Sequence, residues 1–123
     1  MERVYKILAV DNEPSVTTAL RFVFSGPRYE ITCVGSGADA LDRLGAHSNP
    51  YDVIIVDQKM PQLSGVELVR EIRRRCVGGK IIVVSANLSA DVCEAYERMD
   101  VTVMISKPFD VQQLRSAVDQ LAV

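Results

Sequence analysis

Five short runs of apolar, mostly β-branched residues constrain this chain most tightly: Ile7–Val10 (ILAV), Ile31–Val34 (ITCV), Val53–Val56 (VIIV), Ile81–Val84 (IIVV) and Val101–Ile105 (VTVMI). Each run is continuous rather than alternating, which predicts strands covered on both faces. Segments of helical period separate them. Pro14, a residue suited to a first helical turn, precedes Val16, Ala19, Leu20 and Val23. Ser36 opens a segment carrying Ala40, Leu41 and Leu44. Ser64 and Glu67 form a Ser-x-x-Glu capping box ahead of Leu68, Val69 and Ile72. Ser89 precedes Val92, Cys93, Tyr96 and Met99, and Asp110 precedes Leu114, Val118 and Leu121. Strand and helix therefore alternate five times. That order predicts an α/β fold, a doubly wound parallel sheet with right-handed crossovers and helices on both faces.

The 123 residues suffice for one domain with a full core, so residues 1–123 are expected to form a single domain with nothing left over for an output domain. A formal net charge of −2 gives no basic field for nucleic acid or an anionic membrane. No apolar run approaches the roughly 18 residues of a membrane span, and MERVYKILAV lacks the pattern of a signal peptide. Cys33, Cys76 and Cys93 are odd in number and irregularly spaced, which argues against a disulfide framework or a zinc site. Free thiols point to a reducing compartment, and the expected location is cytoplasmic.

Ligands of open parallel sheets bind beyond the carboxyl ends of the strands. Asp11, Asn12 and Glu13 follow the first run, Asp57 the third, Ser85 and Ala86 the fourth, and Lys107 and Pro108 the fifth. These groups should converge in one shallow pocket. Asp11, Asn12 and Asp57 are hard oxygen ligands suited to magnesium, and the Lys59 backbone carbonyl could supply another. An aspartate can attack phosphorus and form an acyl phosphate. Metal and ammonium charge would neutralise the phosphoryl oxygens, with Lys107 and the Ser85 hydroxyl binding them.

With these residues in place, the chain resembles a response-regulator receiver domain over essentially its whole length. The resemblance rests on AVDNEP, VIIVDQKMPQLSG, VVSAN and ISKPFD, found in that order on the expected elements. It implies the flavodoxin-like (βα)5 fold with strand order 2-1-3-4-5. It further implies that Asp57 accepts a phosphoryl group from a histidine kinase or phosphotransfer protein, with Mg2+ as cofactor. Asp11 and Asn12 take the acidic-pair positions, Ser85 that of the switch hydroxyl and Lys107 that of the family lysine. The Lys107–Pro108 bond becomes a cis-peptide candidate. The implied output is altered affinity of the face built from the fourth helix, fifth strand and fifth helix for an effector or for a second copy of the chain. Val92, Tyr96, Val103 and Met104 are candidates near that face, most of them core by pattern. Such a domain is a phosphorelay switch and not ordinarily counted as an enzyme.

Two residues depart from the family pattern. Asn12 stands where Asp is usual, which removes one formal negative charge from the metal site. Met104 stands where a Tyr or Phe often serves as a mobile ring, and methionine cannot give the same two-state flip. Both motivate an alternative: a pseudo-receiver that keeps the fold as a constitutive interaction module. Lys59 and Asn87 lie two residues past Asp57 and Ser85, positions that tune attack by water in the family. An aspartyl-phosphate hydrolase is disfavoured, because Asp57 is followed by Gln58 and Lys59 rather than by a second aspartate in an Asp-x-Asp signature. Arg70, Arg73, Arg74 and Arg75 read as a solvated cluster complementing a helix end. His47 reads as a surface residue in a turn.

Overall fold

The computed structural model describes residues 3–46 and 51–122, so His47 and its turn lie outside the described residues. The elements are β1 (Tyr5–Val10), α1 (Pro14–Val23), β2 (Tyr29–Val34), α2 (Gly37–Ala46), β3 (Val53–Val56), α3 (Gly65–Arg74), β4 (Lys80–Ser85), α4 (Ala90–Glu97), β5 (Val103–Ser106) and α5 (Val111–Ala122). The strands form one sheet in the order β2-β1-β3-β4-β5, every neighbouring pair parallel. This is the flavodoxin-like arrangement that the resemblance implies.

Alternation along each strand sorts the side chains into two cores. Ile7, Ala9, Val53, Ile55, Ile82 and Val84 face one side, where Leu20 and Phe24 at the end of α1 and Leu114 and Val118 of α5 cover them. Leu8, Val10, Ile54, Val56, Ile81 and Val83 face the other, under Leu68, Val69 and Ile72 of α3 and Tyr96 of α4. The central β3 is buried at every position. Side chains such as Leu68 and Ile72, wholly removed from water, each contribute about 1.5–3 kcal/mol relative to exposure.

The expected helix starts are realised. The Ser64 hydroxyl accepts the Glu67 N–H at 3.2 Å while a Glu67 carboxylate oxygen accepts the Ser64 N–H at 3.0 Å. Ser36, Ser89 and Asp110 side chains accept the N–H groups of Asp39, Val92 and Gln113. In the arginine cluster, Arg74 and Arg75 pair with Glu71, and Arg73 Nε donates to the Met99 carbonyl at 3.0 Å.

The strand ends differ from the apolar runs. Pairing with β2 carries β1 back to Tyr5, and β4 runs from Lys80 to Ser85, because ladder hydrogen bonds extend past the apolar residues. The fifth run is displaced: β5 begins at Val103, not Val101. Asp100 takes a left-handed conformation (φ 62°) just after α4, and the Val101 N–H bonds back to the Tyr96 carbonyl at 3.0 Å. Val101 is thus a buried residue of a helix-terminating turn, which apolar character alone cannot distinguish from a strand.

Candidate functional site

Backbone pairing brings the polar groups to one edge. The Asp11 N–H bonds to the Val34 carbonyl at 3.1 Å and the Asp57 N–H to the Val10 carbonyl at 3.0 Å, so the two acids leave neighbouring strand ends. The Lys107 N–H bonds to the Ser85 carbonyl at 3.0 Å, and the Lys107–Pro108 peptide is cis. Asp11 and Asp57 are each 4% exposed and Ser85 is fully buried.

Lys107 organises the charges. Its Nζ lies 2.7 Å from Asp11 Oδ2, 3.4 Å from Glu13 Oε1 and 3.5 Å from Asp57 Oδ1. Asp11 Oδ1 accepts the Glu13 N–H at 2.9 Å, tying the same carboxylate to the start of α1. The Ser85 hydroxyl accepts the Asn87 N–H at 3.1 Å. Burial of Asp57 and the neighbouring charge of Asp11 push its pKa up, against the charge of Lys107 and hydrogen bonding from Ser85 and Lys107. For Lys107, burial pulls the pKa down, but the Asp11 hydrogen bond and the charges of Asp11, Asp57 and Glu13 outweigh it, and the net direction is up.

The structure therefore brings together Asp11, Asp57, Ser85 and Lys107, as expected from the strand-end positions. Asn12 and Lys59 are exposed and line the mouth of the same cleft, with Glu13 and Asn87. The third carboxylate of the cluster comes from Glu13: oxygens of Asp11, Glu13 and Asp57 all lie within 4.8 Å of one another. Glu13 is not among the ligands expected from the sequence, which are Asp11, Asn12, Asp57 and the Lys59 carbonyl. The available signal was spacing, since residues two apart leaving an extended strand share a side. An all-oxygen, carboxylate-rich donor set of this kind fits magnesium and not a soft metal.

A second polar node escaped the sequence altogether. Tyr96 is fully buried, not part of the outer α4–β5–α5 face, and its hydroxyl donates to Gln58 Oε1 at 2.5 Å. Burial, then the charge of Asp57, raises its pKa. Of the remaining candidates for that face, Val92, Val103 and Met104 are half-buried.

A parallel five-stranded sheet in this order, with acids and a lysine gathered at its carboxyl edge, defines a receiver-type domain. Residues 7–119 match the family model of the response regulator receiver domain. The chain is 26% identical to sporulation initiation phosphotransferase F of Bacillus subtilis over 113 residues, covering 92% of this chain and 90% of that protein. It is 30% identical to the response regulator ArlR of Staphylococcus aureus over 115 residues, covering 92% of this chain and half (50%) of that protein's length. Among solved structures, the receiver domain of the Francisella response regulator 1452 aligns with a TM-score of 0.85 and 25% identity, covering 96% of each chain. The chain belongs to the response-regulator receiver family, whose members are signalling switches of two-component systems.

Proposed function

We propose that this receiver is a phosphorylation-controlled switch in which Asp57 is the phosphoacceptor. The observation that carries this reading is the Lys107 ammonium set between Asp11 and Asp57, with the Ser85 hydroxyl beside them. An Asp57 carboxylate oxygen attacks the phosphorus of a phosphohistidine donor, in a kinase or phosphotransfer protein. The P–N bond breaks, and its electron pair leaves with the imidazole. The product is an acyl phosphate on Asp57. Lys107 then turns from Asp11 toward the new phosphoryl oxygens, and Ser85 donates to another. Both contacts are charge-assisted hydrogen bonds.

Asp11 and Asp57, the Asn12 amide oxygen and the Lys59 carbonyl would hold magnesium, with the Glu13 carboxylate in reach. When bound, the ion supplies positive charge to the transferring phosphoryl group. The Asp11 and Asp57 carboxylates also repel one another, and the Lys107 ammonium counters that repulsion. The rearranged loops after β3 and β4 would change the affinity of the α4–β5–α5 face for an effector or a second copy. Similarity to the Bacillus phosphotransferase supports a part in phosphoryl transfer, and similarity to the response regulator ArlR supports a part in response regulation.

Labelling with acetyl phosphate tests this reading. Wild type should be labelled in a magnesium-dependent way, and Asp57→Asn should not. A chain with no magnesium response and no Asp57-dependent label would be a constitutive interaction module. Asn12 and Met104 are the observations that favour that second reading.

A further inference from the structure

We propose that Tyr96 is a positioning residue: through Gln58 it fixes α4 to the backbone beside the phosphoacceptor, and this single bond carries the state of Asp57 to α4. The inference rests on the phosphoacceptor reading of Asp57 given above.

Three observations carry it. Gln58 directly follows Asp57 and closes the start of α3: its carbonyl accepts the Gly65 N–H at 2.9 Å and its Oε1 accepts the Val66 N–H at 3.0 Å. These are two of the N–H groups that a helix start leaves without an intrahelical partner. The same Oε1 accepts the Tyr96 hydroxyl, so both lone pairs of one oxygen are committed, one to α3 and one to α4. Finally, Tyr96 is the sole fully buried residue of α4, whose other residues are half-buried or exposed. The helix therefore has one deep anchor, and the polar end of that anchor touches the residue next to Asp57.

The fit at this anchor is close. A Cβ on Gly65 would collide with the Tyr96 hydroxyl, so the ring is seated against the bare backbone of the α3 start. A rigid ring with one directional bond transmits displacement. A buried hydroxyl drawn away from its acceptor has no water to replace it, so Tyr96 follows Gln58 when the loop after β3 adjusts to a loaded Asp57. Met104 packs in the same core cluster. Its adaptable side chain absorbs movement instead of passing it on.

The test uses the full chain, with amide chemical shifts read before and after beryllofluoride is added with magnesium, beside labelling by acetyl phosphate. Tyr96→Phe keeps the ring and removes the bond. It should still be labelled at Asp57 within about twofold of wild type, and the shifts of Ser85 and Lys107 should persist, while shifts across residues 90–97 shrink at least threefold (roughly, as two populations uncouple). Gln58→Met, which removes the acceptor from the other side, should give the same loss in α4, and the double variant should lose no more than either single one. Undiminished α4 shifts in a labelled Tyr96→Phe, or in a labelled Gln58→Met should Tyr96→Phe fail to fold, overturn the relay and leave the phosphoacceptor reading intact. A wild-type chain that takes neither label nor beryllofluoride overturns both.

Discussion

The Lys107 ammonium sits closer to Asp11 than to Asp57, at 2.7 Å against 3.5 Å. Both carboxylates are nearly sealed from water, so each depends on this cation for charge balance. Lys107→Met removes the side-chain donor to Asp11 Oδ2 and leaves two buried acids facing each other. The expected loss of stability is about 1–3 kcal/mol in chelator, measured by urea unfolding. Magnesium should restore more stability to the variant than it adds to wild type, and equal gains would show that Lys107 is not balancing these acids.

The raised pKa of Asp57, caused first by burial and then by the charge of Asp11, has a definite sign for stability. The folded chain holds the Asp57 proton more tightly than the unfolded chain. Stability from this group is therefore full below the unfolded pKa and is lost as pH rises through the folded one. Asp57→Asn should melt a few degrees above wild type at about pH 7 without magnesium. The gap should close as pH falls below the ordinary carboxylate range of roughly 4. Thermal melts across that range check it.

Glu13 supplies a carboxylate within the acidic cluster while Asn12 lies exposed at its rim. Affinity for a hard cation follows the number of charged oxygens offered to it. Calorimetric titration with magnesium should show Glu13→Gln binding several-fold more weakly and Asn12→Asp on the order of tenfold more tightly. An unchanged constant for Glu13→Gln would remove this carboxylate from the ion's surroundings.

At Gly65 the obstacle is close approach rather than backbone conformation. An added methyl would meet the Tyr96 hydroxyl, the Asp57 carbonyl at 2.5 Å and Gln58 Cα at 2.9 Å. Two of these three are backbone atoms and cannot swing aside. Gly65→Ala should destabilise the chain by about 1–3 kcal/mol and slow labelling of Asp57, read from urea midpoints and acetyl-phosphate kinetics.

Much of the site was legible because strand ends are local features. Asp11, Asp57, Ser85 and Lys107 each stand within two residues of the end of an apolar run, and parallel pairing necessarily gathers such positions at one edge. The capping box at Ser64 and Glu67 was legible for the same reason, since its partners are three residues apart. Val101 was misread as strand, because a buried apolar residue in a helix-ending turn carries the same sequence signal. Tyr96 fitted a helical stripe, and nothing in that period tells a half-buried position from a sealed one with a polar partner 38 residues away.

The amino-acid sequence by itself determined the five strands, the alternation with helices, and therefore which residues leave the carboxyl edge. Those outcomes follow from the period of apolar residues, a property of neighbours along the chain. Only the tertiary structure decided that Lys107 turns to Asp11, that Glu13 completes the carboxylate cluster, and that Tyr96 reaches Gln58 beneath α4. Each of these is a contact between segments brought together by packing, where loop path and excluded volume set the direction of a side chain that sequence spacing leaves open.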